Sequence, residues 1–241
     1  MDVVPPGPLD DWTVADPWSG KIVDGKIYGR GAADMKSGNA AAIMGLKAVL
    51  DAGYKPRGDV ILQNVVGEEN METAAGTGAF LKRGYTADAA IVVESSSFPQ
   101  SLSLCTAQAN NQVCLIKVKG KTLHCALRGE TIRAGGYGSQ MGVNSIDKAM
   151  LIYNGLKRLE DEWGRTKSHP LWTRPGYFSI YPTVFNGGRA EDGPTLMSAE
   201  TMMCYIINSP PDESPEQTRE EVEKVIQLLC QTDDWLRENP P

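Results

Sequence analysis

Histidine is nearly missing from this chain: 241 residues hold only His124 and His169, a scarcity that bears on every metal-site reading below. Cysteine is thin and scattered. Cys105, Cys114, Cys125, Cys204 and Cys230 are odd in number and contain no Cys-x-x-Cys pair. That pattern fits reduced thiols in a cytoplasm better than a disulfide framework or a thiolate zinc site. No apolar run approaches the roughly 20 residues that span a bilayer. Met1-Asp-Val-Val-Pro-Pro has neither the basic start nor the apolar core of a secretory signal. No block of Lys and Arg stands out and the net charge is −6, which excludes a nucleic-acid partner. Internal repeats and low-complexity segments are absent as well.

What is present is ordinary globular composition, 41% hydrophobic and 22% charged, in a length that permits one large or two smaller domains. The organising stretch is Tyr28-Gly-Arg-Gly-Ala-Ala-Asp-Met-Lys-Ser-Gly38. Gly29 and Gly31 loosen the backbone, and Asp34 stands just ahead of a helix expected at 37–52, which Gly53 stops. Turn signals fill residues 10–28. Asp59–Val66 and Ala89–Val93 read as apolar strands flanking a short helix at 73–83 that closes on Gly84. Strand, helix, strand with apolar runs implies a parallel sheet covered on both faces. The fold class is therefore α/β, a doubly wound, mainly parallel sheet over 1–109.

From about residue 110 the texture changes. Gln112–Lys119 alternates like a strand with one wet face. A glycine-rich loop at 129–142 precedes a helix at 143–162 with an apolar stripe of Ile146, Met150, Tyr153, Leu156 and Leu159. Strands follow at 177–181 and 200–207. A last helix opens on Ser214-Pro-Glu-Gln217, an N-cap with a capping box, and buries Val222, Val225, Ile226 and Leu229. This order gives a two-layer α+β domain over 110–232, with 233–241 reading as a linker.

Acids collect where strands end, the place where ligands gather in open α/β sheets. Asp34, Glu68, Glu69 and Glu94 fall on one rim, and like charges so placed repel unless a cation holds them or their pKa values rise. Two readings stay open. Asp34 is a near-cap acid and the glutamates are solvated or ion-paired. Alternatively, two divalent ions sit here with Asp34 between them and one acid left free as general base.

The series Met1-Asp2-Val-Val-Pro-Pro, Asp24-Gly-Lys-Ile-Tyr-Gly-Arg-Gly-Ala-Ala-Asp34-Met-Lys, Gly67-Glu68-Glu69 and Val93-Glu94 resembles the zinc-dependent amidohydrolase family. That family includes acetylornithine deacetylase, succinyl-diaminopimelate desuccinylase, aminoacylase and the glutamate carboxypeptidases. Gly120-Lys-Thr-Leu-His124 and Gly142-Val-Asn144-Ser-Ile resemble its lid and dimerisation domain. The resemblance implies a zinc-exopeptidase-like catalytic domain and hydrolysis of an amide in an N-acyl amino acid or small peptide by a metal-bound water. It implies two zinc ions, with cobalt or manganese as substitutes, bridged by Asp34 and held by Glu69 and Glu94. Glu68 is then the general base, and Asp2 orients a metal-binding histidine two residues before it. His124 stabilises the oxyanion from the lid, often in the partner subunit, and Asn144 contacts substrate or caps the next helix. The implied assembly is a cytoplasmic homodimer joined through the lid, with no membrane or nucleic-acid partner.

The pattern departs from the family at both zinc histidines, expected before Met1 and after Pro241. The chain is therefore expected to be the middle of a longer deacylase, or else an inactive relative that serves as a binding or dimerisation module. A hydrolase using magnesium or manganese on carboxylates alone is a third reading. His169 reads as a loop residue.

Overall fold

The structure, a computed structural model, describes residues 2–70, 72, 74–94, 105, 107–129, 141–172, 176–188 and 193–241. The chain divides into two compact units, residues 1–104 and 105–241.

Unit 1 begins with an irregular run whose Trp12 indole donates to Pro6 O at 2.9 Å, and Arg30 lies 5.3 Å over the Trp12 ring. A hairpin follows, β1 (Lys21–Val23) against β2 (Lys26–Tyr28), turned by Asp24 and Gly25 at φ 49° and 74°. Two successive positive φ values make the primed turn that matches strand twist. Helix α1 (Gly38–Asp51) ends where Gly53 N bonds Leu50 O and Tyr54 N bonds Val49 O, the paired closure of a Schellman motif. Helix α2 (Thr77–Lys82) starts later than expected and closes in the same way at Gly84.

The two apolar strands expected in this unit are not formed. Residues 59–66 and 89–93 carry no strand ladder among the described residues, and Val60, Ile61, Ile91 and Val92 are exposed. A buried parallel strand needs hydrogen-bonded neighbours and covered faces. Among the described residues neither segment has such a neighbour, so apolar sequence alone does not produce the ladder.

Unit 2 is a three-stranded antiparallel sheet with helices. Its strands are β3 (Asn110–Lys119), β4 (Ser179–Gly187) and β5 (Glu200–Ser209), in the order β3-β5-β4. Helix α3 (Ser145–Thr166) and helix α4 (Pro215–Gln231) pack against each other and α3 packs on the sheet. The core joins Ile152, Leu156 and Trp163 of α3 to Ile116, Val118, Met203 and Ile207 of the sheet and Val222 of α4. Each such side chain contributes about 1.5–3 kcal/mol of burial. Gly155 lets the helices approach, since a Cβ there would overlap Leu229.

The buried face of α3 is Ser145, Ala149, Ile152, Leu156, Leu159 and Trp163, which corrects the expected stripe. Met150 is 40% exposed and Ala149 fully buried, because a helix lying close on a sheet turns its small residues inward. Ser145 fits that position because its hydroxyl meets Ser198 Oγ and Thr201 Oγ1, each at 2.8 Å. The capping box at Ser214 is present as expected.

Within the segment 233–241, expected as a linker, lies helix α5 (Asp234–Glu238). Asp233 caps it and pairs with Lys148 at 2.6 Å, Leu236 is fully buried, and the Trp235 indole donates to Lys119 O. Edge strand β4 is blunted by Pro182 and a register shift between Pro182 and Val184, whereas edge strand β3 contains no proline. All five cysteines are free thiols. No helix among the described residues is long and apolar enough to cross a membrane.

Candidate functional site

In unit 1 the first residues of the chain meet the glycine turn and the Gly67 turn, and the end of the 89–94 segment packs on the start of α1. The Asp2 carboxylate accepts the Gly67 N–H at 2.8 Å. Gly31, at φ 76°, lies against Val3, and a side chain there would strike Val3 Cγ1. Gly38, the first residue of α1, packs so closely on the Val93 carbonyl oxygen that a Cβ would overlap it. That contact sets Glu94, the next residue, beside the start of α1.

Asp34 is not a helix cap. It has extended angles, φ −111° and ψ 105°, its peptide bond to Met35 is cis, and the N-cap position of α1 is Ser37. The Ser37 hydroxyl bonds back to Ala33 O, and the turn closes through Lys36 N to Gly31 O at 2.9 Å. An exposed carboxylate is thereby presented ahead of the helix.

Electrostatics tie three of the acids to Glu69. Burial, followed by the negative charges of Asp34, Glu68 and Asp2, pushes the Glu69 carboxyl above its ordinary range, against a lowering bond from the Val4 N–H. The acids acting on Glu69 do not include Glu94. A carboxylate that feels the negative charge of its neighbours is one that a cation would relieve.

Among the described residues no three His, Cys, Asp or Glu side chains stand close enough to hold a metal ion by themselves. Unit 1 contains no histidine, so its donors are oxygens. The donor chemistry is that of a divalent centre's carboxylate share, but among the described residues the spacing does not make a complete site, and the nitrogen donors that zinc favours are absent from unit 1.

In unit 2, His124 is exposed and caps a 3-10 turn at Cys125–Leu127, its Nδ1 accepting the Ala126 N–H at 3.2 Å. Asn144 caps α3, its Oδ1 accepting the Ile146 N–H at 3.1 Å, and that cap accounts for an asparagine here. An open cavity of about 600 Å³, lined in part by Thr122, Asn186, Leu196 and Met202, adjoins the bridge between His124 and Leu196. His169 lies in a loop against Trp172, ring centroids 5.0 Å apart. The glycine-rich loop falls mostly in 130–140, outside the described residues. Sequence reading missed the buried Ser145, Ser198 and Thr201 hydroxyls, because Ser145 lies 53 and 56 residues before its two partners and carries no local signal.

Residues 1–232 match the family model of peptidase family M20/M25/M40. N-formyl-4-amino-5-aminomethyl-2-methylpyrimidine deformylase of Halalkalibacterium halodurans is 36% identical over 244 residues, covering 100% of this chain and 53% of the relative. The Bacillus subtilis protein of that name is 36% identical over 227 residues, covering 94% and 50%. A probable succinyl-diaminopimelate desuccinylase of Staphylococcus aureus is 27% identical over 222 residues, covering 89% and 50%. The chain spans about half the length of these curated relatives. Among solved structures, the M20 family metallo-carboxypeptidase Sso-CP2 of Sulfolobus solfataricus gives a TM-score of 0.52 at 17% identity, covering 95% of this chain and 60% of that one. A Staphylococcus aureus tripeptidase gives 0.51 at 17%, covering 87% and 46%, so the likeness in fold takes in most of the chain. With its glycine turn, its Gly-Glu-Glu turn and its α+β unit all inside one match, the chain belongs to peptidase family M20/M25/M40.

Proposed function

We propose that the protein carrying these residues hydrolyses the amide of a small N-acyl amine with a divalent metal centre, zinc first, in which Asp34, Glu69 and Glu94 are the carboxylate ligands. The observation that carries this reading is the family match over residues 1–232, within which the Asp2 carboxylate fastens the Gly67 turn that bears Glu68 and Glu69. When bound, a divalent ion would supply Lewis acidity and acidify the attacking water. Glu68 takes the proton of the attacking water and passes it to the leaving amine. Asp2 holds the Gly67 turn in place, and His124 donates to the oxygen that gains charge. Residues 1–109 are the metal-binding share and 110–232 the lid, with Asn144 at its substrate side and 233–241 leading back to the catalytic domain. A homodimer forms through the free edge of β3 and the exposed face of α3.

The names of the two 36%-identical relatives favour a formamide on an aminomethylpyrimidine, ahead of the N-acyl amino acid that the motifs alone suggest. The test follows formate and succinate release from N-formyl aminomethylpyrimidine and N-succinyl amino acid, after chelation and after return of zinc, cobalt or manganese. Metal-restored formate release supports the reading. Hydrolysis indifferent to chelation, or none with any metal, overturns it.

A further inference from the structure

We infer that the Ala126 backbone N–H fixes His124 as the Nε2–H tautomer, so that the ring is a donor through one defined nitrogen. The catalytic meaning of this rests on the function proposed above; the tautomer itself does not. A neutral imidazole whose Nδ1 accepts a hydrogen bond carries its proton on Nε2. Ala126 N stands 3.2 Å from His124 Nδ1, and Leu127 N bonds His124 O at 3.0 Å, closing the turn beneath the ring.

The backbone on either side is fixed as well. Met197 N bonds Leu123 O at 2.9 Å and Cys125 N bonds Thr195 O at 2.7 Å, so His124 sits between two rungs. The 195–198 segment that supplies them is anchored to α3 by Ser145 N to Ser198 O at 2.9 Å and by the hydroxyl pair Ser145–Ser198 at 2.8 Å. Gly142 passes so close to Leu123 that a Cβ would overlap it. A ring held this way meets a developing negative oxygen with an N–H already in place and needs no proton rearrangement. Ala126 is thus a positioning residue acting through its amide. His169 repeats the device, with Leu171 N at 3.2 Å from its Nδ1, and provides an internal reference.

The test is long-range proton–nitrogen correlation on the 241-residue chain labelled at histidine, without metal or substrate, with both rings neutral. The expected spectrum shows a single Nε2–H tautomer at each ring. Ala126→Pro removes the donor, and His124 alone should become a mixture with a measurable Nδ1–H share while His169 is unmoved. An Nδ1–H ring at His124 in the unaltered chain, or an unchanged ratio in A126P with native His169 signals, overturns the inference. Should A126P fail to fold, exchange of the Ala126 amide decides. It should stay slow in His124→Asn, whose side-chain oxygen can accept, and quicken several-fold in His124→Phe; equal rates in all three chains overturn the inference. No substrate enters these measurements, so a failed hydrolysis assay and a failed tautomer test are separate results.

Discussion

The Asp2 carboxylate accepts the Gly67 amide hydrogen at 2.8 Å, a bond between residues 65 apart in sequence. Val4 N–H reaches the Glu69 carboxylate from the same segment. The start of the chain therefore staples the turn that carries Glu68 and Glu69. Asp2→Ala should weaken metal binding about 10–100-fold, the usual cost of losing a group that orients ligands. Calorimetric titration with zinc and manganese checks this, and an unchanged affinity would remove Asp2 from the site.

Glu68 and Glu69 are adjacent, yet the proposed roles differ. Glu68→Gln should lower kcat by about 10²–10⁴-fold while metal content holds. Glu69→Gln should lose metal first. Steady-state rates beside elemental analysis separate the two, and equal metal loss in both variants would refute the division.

The pair Lys148–Asp233 fastens α5 to α3. Burial alone would raise the Asp233 carboxyl, but hydrogen bonds from Lys148, Leu236 and Trp235 outweigh it and hold the group below its ordinary value. With the folded pKa depressed, the unfolded chain binds more protons through that window, so stability rises with pH. The contribution is complete above the unfolded carboxylate pKa and is lost as pH falls through the folded one. Asp233→Asn should cost about 1–2 kcal/mol near neutral pH and show a flatter acid limb. Urea midpoints measured from neutral to acid pH test this, and parallel curves for the two chains would contradict it.

Lys167 bonds both carboxylate oxygens of Glu213 at 2.7 Å, reaches Glu221 at 2.9 Å and lies 4.4 Å over the Trp163 ring. Its side chain is 11% exposed. Lys167→Met leaves two acids facing each other and should destabilise unit 2 by about 2 kcal/mol. Thermal unfolding at low and high salt is the check, with the larger loss expected at low salt.

Sequence alone gave the parts that depend on local chemistry. The Ser214 capping box, the Gly53 stop and the ordered acid motifs are each fixed by neighbours within a few residues, and the family follows from the motifs. Position along α3 was misjudged because hydrophobic size ranks Met150 above Ala149, while close helix–sheet packing ranks them the other way. Leu236 was hidden in a Pro-ended tail whose docking depends on Lys119 and Lys148, more than 80 residues upstream. The apolar runs at 59–66 and 89–93 show the converse limit, since a strand is a property of a pair. Both Asp34 readings were open in the sequence, and its extended angles decide against the cap.

One edge of the unit 2 sheet is spoiled by Pro182 and its register shift, and the other is left intact along β3. A sheet with a single reactive border cannot propagate: once two such borders meet, neither member has another to offer. For the dimer proposed through β3, strand addition would thereby stop at two, because Pro182 and its register shift break the other border.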